Sequence, residues 1–221
     1  MDDTVKGRRS YSSPVRQERA HANRTAILVA AQRLFVAEGY PRTSIAAIAS
    51  EAGVSEDLVY VHFGTKRQLL VEVLNYSVTG ETDSPKVLDQ AGPQAVRAEK
   101  DQRRQIAMFA ADIARRTGLA RPIDDIMRSA ALVDDELAAK RANLHRTRLD
   151  NLTRFVGWVA ANGPLRDGLS VDDAAATVWA LTGPDMHRML VDELGWSQER
   201  FAGWIRETLD STLLPPVPTG D

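Results

Sequence analysis

The feature that most constrains this chain is a pair of short apolar blocks held apart by one glycine. In IAAIASEAGVSEDLVYVHF, residues 45–63, Ile45, Ile48, Ala49 and Ala52 recur at helical spacing, Gly53 follows, and Val59 and Phe63 stand four apart. That spacing puts each set on one face of a helix, and a glycine between the sets suits the left-handed turn that ends a helix. Thr43 or Ser44 can cap the first block and Ser55 the second, because a hydroxyl can accept from a free amide of the first turn. Upstream, Ile27, Ala30, Ala31, Leu34 and Phe35 draw a stripe on a helix starting near Arg24 and closed by Gly39 and Pro41. Two short helices at a tight turn with a third to pack on make a helix-turn-helix, although a bare helical corner of this shape also occurs with no nucleic-acid role. The outward face of the second short helix carries Glu56, Asp57, Tyr60 and Val61, and a reading helix needs such a free N-terminal half. Lys66 then falls in the first turn of a fourth helix, a fitting place for a phosphate.

Those blocks read FVAEGY, TSIAAIA, AGVS and VYVHFGTK in this sequence, and in that order they resemble the DNA-binding domain of the TetR family of bacterial repressors. The resemblance covers about a fifth of the chain. It implies that Thr43, Ser44, Tyr60, His62 and Lys66 contact the DNA backbone, with Tyr60 reaching toward a base. Ser55, Glu56, Asp57 and Val61 complete the expected interface. Glu56, Asp57 and Leu58 stand where many members carry neutral or basic side chains. The acids can accept from cytosine or can serve the helix dipole, so the operator is not legible from them.

Around this unit, composition excludes more than it includes. Forty-three per cent hydrophobic and 26% charged residues suit a folded globular chain of 221 residues. With no cysteine there is no disulfide, no thiolate nucleophile and no Cys-ligated metal. His21, His62, His145 and His187 are scattered without metal-ligand spacing, and no phosphate-binding loop or hydrolase motif occurs. The pairs Asp124-Asp125, Asp134-Asp135 and Asp172-Asp173 diverge on a helix and read as solvated faces or helix starts. The chain is therefore read as a non-enzyme needing no cofactor or metal. No apolar run is long enough to span a bilayer, so it is read as cytoplasmic. Residues 6–24 hold six basic side chains and one acid, and residues 1–22 read as a basic arm, either disordered or lying along phosphates.

The expected fold class is all-α: a three-helix DNA-binding domain over 23–75, then a helical effector-binding and dimerisation domain over 76–214, and a disordered tail over 215–221. Residues 77–98, with Gly80, Pro85, Gly92 and Pro93, read as a loop or broken helix. A helix over 99–117 is expected to stop at Gly118, and Pro122 to open a shorter one. A long helix over 134–161 follows. Ser170 with Asp173 opens another, which Gly183-Pro184 kinks or splits, and Ser197 caps the last. The resemblance implies that the last two helices pair with their copies, using Met186, Leu190, Phe201, Trp204, Ile205 and Leu209. Met108, Phe109, Met127, Phe155, Trp158 and Trp179 are candidates to line a cavity between body helices, or to fill an ordinary core; Arg104, Arg115, His145 and His187 are candidate polar anchors. The expected activity is that of a homodimeric regulator, released from palindromic double-stranded operator DNA by an unidentified small molecule. The alternatives are a regulator without an effector, or a helical adaptor that meets protein.

Overall fold

The computed structural model of the protein describes residues 14–82 and 86–216. The described residues form ten α-helices and no strand: α1 (Pro14–Glu38), α2 (Ile45–Ala52), α3 (Glu56–Phe63), α4 (Lys66–Thr79), α5 (Ala91–Ala98), α6 (Gln102–Ala130), α7 (Asp135–Asn162), α8 (Val171–Leu181), α9 (Pro184–His187) and α10 (Gln198–Leu213). A single 3₁₀ turn, Val87–Asp89, precedes α5, and a π-helical stretch, Arg188–Glu193, continues α9.

The N-terminal helices follow the hydroxyl and glycine signals. Ser44, Ser55 and Thr65 accept from Ala47, Leu58 and Gln68 amides, so each of α2, α3 and α4 starts on a side-chain cap. Gly53 sits at φ 68°, where its amide reaches the Ala49 and Ser50 carbonyls and a side chain would be strained. Helix α1 departs from expectation by starting at Pro14 rather than near Arg24. Proline suits a first helical position, and the polar residues behind it are exposed, so residues 15–22 are a solvated extension of the helix rather than part of an arm. Residues 1–13 and 217–221, the rest of the expected arm and most of the expected tail, lie outside the described residues.

The body shows two further departures. Residues 91–98 form α5 where a loop or broken helix was expected, because Pro93 occupies the third helical position, whose N–H has no intrahelical partner anyway. More consequentially, α6 runs unbroken through both Gly118 and Pro122. Gly118 is a point of close approach and not a stop. A Cβ there would meet His187 Nε2 at 3.1 Å and the Gln198 amide at 3.3 Å. Those neighbours are held in place, His187 by Gln198 Oε1 at 3.0 Å and Gln198 by its bond to the Ala114 carbonyl. Gly118→Val is accordingly expected to cost about 1–3 kcal/mol by overpacking, measured as a lower urea midpoint at unchanged slope. Pro122 forfeits one helical hydrogen bond, and burial of α6 on both sides of it offsets that loss.

That burial divides the interior in two. One core joins α1–α4 to the C-terminal half of α6 through Ala120, Ile123 and Met127, with Leu137 of α7. The other joins Ile106, Phe109 and Ala110 of α6 to Phe155, Val156 and Val159 of α7, to α8, and to Phe201, Ile205, Leu209 and Leu213 of α10. The first core is thus completed by the body, and α6 belongs to both.

Candidate DNA interface and effector cavity

Most of the expected DNA-facing residues lie together on one surface. Glu56, Asp57, Tyr60 and Val61 are exposed on α3, Val61 at 77%, while Val59 and Phe63 on the opposite face are buried. Ser44 and Ser55 spend one lone pair on capping and remain exposed. His62 is half-buried beside Phe63, and its carbonyl accepts from Arg24 at 3.2 Å. Lys66 stands at the start of α4 with Nζ 4.3 Å from the Tyr40 ring centroid, and burial alone pulls its pKa below the usual lysine value. The ring holds the ammonium near the N-terminus of α4, where its charge and the helix dipole have the same sign.

Thr43 does not join this surface. It is 1% exposed, and its hydroxyl donates inward to the Leu34 and Gly39 carbonyls at 3.2 and 2.9 Å. It locks the α1–α2 turn, and Ser44 alone is the cap. If the surface meets DNA, Lys66→Ala should flatten the logarithmic salt dependence of binding by about one unit, and Tyr60→Ala should weaken binding at constant helicity. Both follow from fluorescence anisotropy with labelled duplex between low and moderate salt.

A cavity of about 750 Å³ lies between α4, α5, α6 and α7, within the range of small-molecule sites. Three expected wall residues line it: Phe109, Phe155 and Trp158. Phe109 and Phe155 stack with centroids 3.7 Å apart. The other three do not line it. Met127 is fully buried in the N-terminal core, because the unbroken α6 carries it past the cavity. Met108 packs against the second core. Trp179 stands behind the wall, its ring 5.7 Å edge-on to His145 and its carbonyl accepting from Arg148. Of the polar anchors only His145 lines the cavity; His187 is buried against Phe201 and Gln198.

The sequence reading missed Asp124, Arg141, Arg148 and Asn151, which also line the cavity. Asp124, expected to be solvated, is 7% exposed and pairs with Arg141 at 3.3 Å. A signal for these residues existed: Arg141, His145, Arg148, Leu152 and Phe155 share one α7 face, so the polar members had to enter the same interior as the aromatic ones.

The cavity also touches the DNA-binding unit. Leu74, Asn75, Tyr76 and Val78 of α4 form part of its wall, and Arg24 and Glu72 also line it. Arg24 pairs with Glu72 at 3.2 Å, donates to the carbonyls of Thr82 and His62, and lies 4.5 Å over the Phe63 ring. A second tie joins the start of α4 to the body. Arg67 bonds Asp134, the cap of α7, at 2.7 Å; this bond chiefly holds the Asp134 carboxyl below its usual pKa and raises that of Arg67.

The dimer residues divide as well. Phe201, Ile205 and Leu209 are fully buried within the protomer, so they cannot form a seam with a second copy. Helix α10 turns its apolar stripe inward, onto α6 and α8. Met186, Leu190 and Trp204 keep accessible surface. Among the described residues no helix is long and apolar enough to cross a membrane.

Comparison with known proteins agrees with this arrangement. Residues 27–73 match the family described as bacterial regulatory proteins, tetR family. ArpR of Pseudomonas putida, a probable HTH-type transcriptional regulator, is 25% identical over 215 residues, 91% of this chain and 96% of its own. The crystal structure of NalD, the secondary repressor of the MexAB-OprM multidrug efflux pump in Pseudomonas aeruginosa, superposes with a TM-score of 0.67 at 23% identity, covering 90% of this chain and all of that one. The SmeT–triclosan complex superposes with the same TM-score at 20% identity over 90% of this chain and all of that one. The capped helix-turn-helix and the exposed α3 face thus fall within the stretch that resembles the bacterial regulatory proteins of the tetR family, and the all-helical chain shares its fold with NalD and SmeT.

Proposed function

We propose that this regulator binds operator DNA as a homodimer through α3 and the start of α4, and represses until a small molecule enters the body cavity. One observation carries the reading: α4 is at once a wall of the cavity and, through Glu72, the anchor of Arg24, whose guanidinium holds the His62 carbonyl of α3. A ligand that binds better to one setting of α4 shifts the population toward that setting, and the two α3 helices of a dimer then lose their match to successive major grooves. SmeT, a similar fold, forms a complex with triclosan, which supports a mainly apolar ligand. The DNA contacts proposed are Ser44, Ser55, Glu56, Asp57, Tyr60, Val61, His62 and Lys66, and the two-fold symmetry of a dimer favours a palindromic site.

The test is retardation of the gene's own upstream DNA with and without a ligand that raises the melting temperature. The expected outcome is binding weakened by roughly 5- to 150-fold, with DNA weakening the ligand by the same factor. A ligand that stabilises the protein and leaves DNA affinity unchanged is not an effector. Failure to bind any upstream DNA would favour the helical-adaptor alternative.

A further inference from the structure

The cavity has two chemically different ends, and the difference runs along α7. Toward its C-terminal half, Phe155 and Trp158 face Phe109, Ile113 and Val96. Toward its N-terminal half, Arg141, His145 and Arg148 line the space, and Arg141 and Arg148 are seven residues, about 10 Å, apart along one face.

Four partly or wholly buried guanidiniums line this cavity, and they are not equally compensated. Arg116 has Asp112 at 2.6 Å together with the Val78 carbonyl and Gln90 Oε1. Arg24 has Glu72 and two carbonyls. Arg141 has only Asp124, and its buried Nε has no hydrogen-bond partner among the described residues. Arg148 has no carboxylate within 4 Å among the described residues. It donates only to the Trp179 carbonyl at 3.0 Å and to Thr182 Oγ1 at 2.7 Å, and partly covers the Trp179 ring. Two guanidiniums therefore share one carboxylate and one helix C-terminus, and unspent donors of their forks are left at the cavity. Asp150, which also lines the cavity, is exposed.

A buried cation without a counter-charge is costly unless something completes the pair, and an arginine cannot escape by losing its proton at neutral pH. Burial pulls the pKa of Arg148 down to about 10, which still leaves it charged. The pKa of His145 is pulled down by burial first and by the neighbouring Arg141 next.

We propose that the ligand of this cavity is an anionic amphiphile, a carboxylate on an apolar body. Its head is held by Arg141 and Arg148, and its body lies against Trp158 and the Phe109–Phe155 stack. The proposal rests on this cavity being the effector site and names the class of molecule it takes. A cationic ligand is disfavoured by the same two side chains. A neutral one fills the aromatic end and leaves the fork donors unspent.

The experiment is calorimetric titration of the full chain with three probes of equal apolar length: decanoate, decanol and decyltrimethylammonium. Decanoate should bind at least roughly tenfold more tightly than decanol, the equivalent of one charge-assisted hydrogen bond, and the cation least tightly. Arg148→Met should bring decanoate and decanol within about twofold of each other while leaving decanol where it was. Asp124→Asn, which removes the competing carboxylate, should tighten decanoate and serves as the second variant if Arg148→Met does not fold. Equal affinity for acid and alcohol, tightest binding of the cation, or no gain with Asp124→Asn would overturn the proposal and leave the cavity reading intact. No binding by any of the three to the folded chain would overturn the cavity reading itself, and the proposal with it.

Discussion

Leu209→Glu should leave no folded protein, whereas Trp204→Glu should leave a folded monomer. The two positions lie on the same helix, one and a half turns apart, and the resemblance to known regulators assigned both to a subunit seam. In the structure Leu209 is fully buried in the core that α10 shares with α6, α7 and α8. A carboxylate there has no partner and no water, at a cost of several kcal/mol, a large part of the roughly 5–15 kcal/mol by which a domain of this kind is stable. Trp204 keeps accessible surface, stacks on Phe201 and meets Trp196 edge-on. A charge at 204 can reach water in a lone protomer but not in an apolar seam, so it should oppose association more than folding. Circular dichroism at the melting transition and sedimentation velocity separate the outcomes. A folded, monomeric Leu209→Glu would return that residue to the seam, and a Trp204→Glu variant that stays dimeric would remove Trp204 from it.

The second large effect is expected at Arg24. Arg24→Met should weaken operator binding by about ten- to a hundredfold, equivalent to losing roughly 1–3 kcal/mol of positioning, and should nearly abolish ligand-induced release. The guanidinium is the point where the cavity, α4, the Thr82 carbonyl and the last turn of α3 meet. Methionine keeps much of the stem's volume and its contact with Phe63 but drops the hydrogen bonds to Thr82, His62 and Glu72. The His62 carbonyl then loses its bond from Arg24, and α3 can settle at more than one angle. Glu72 keeps its bond from Gln68 and is itself partly exposed, so the loss in stability should be smaller than for a fully buried pair, about 1–2 kcal/mol. The decisive readout is the ratio of DNA affinities with and without bound ligand. Were that ratio unchanged in Arg24→Met, coupling would have to run through the Arg67–Asp134 tie instead, and Arg67→Met would be the variant to carry the effect.

How much of this was legible beforehand differs from element to element. Helices α2, α3 and α4 were fully written in local chemistry. Ser44, Ser55 and Thr65 cap their own helices, Gly53 adopts the one conformation that favours it, and the buried and exposed faces of α3 follow from four-residue spacing alone. These are interactions over a few residues, and a linear pattern contains them. The same locality is why Thr43 and Ser44 could not be ranked: both hydroxyls suit a cap, and only the approach of the α1 C-terminus turned Thr43 inward.

The body depended on contacts that sequence spacing does not encode. Gly118 and Pro122 are breakers by local propensity, yet α6 continues through them because two cores bury it on either side of Pro122, and because His187 and Gln198 need the space a side chain at 118 would take. The continuation then carries Met127 away from the cavity and into the N-terminal core. Likewise an apolar stripe on α10 states that Phe201, Ile205 and Leu209 must be buried but not against what, and packing onto α6 within one protomer answered it. Burial has no direction in a sequence. Periodicity determined which residues leave water, capping chemistry determined where most helices begin, and only the tertiary structure decided which of the buried faces meet each other, which charges go unpaired, and where a cavity is left between them.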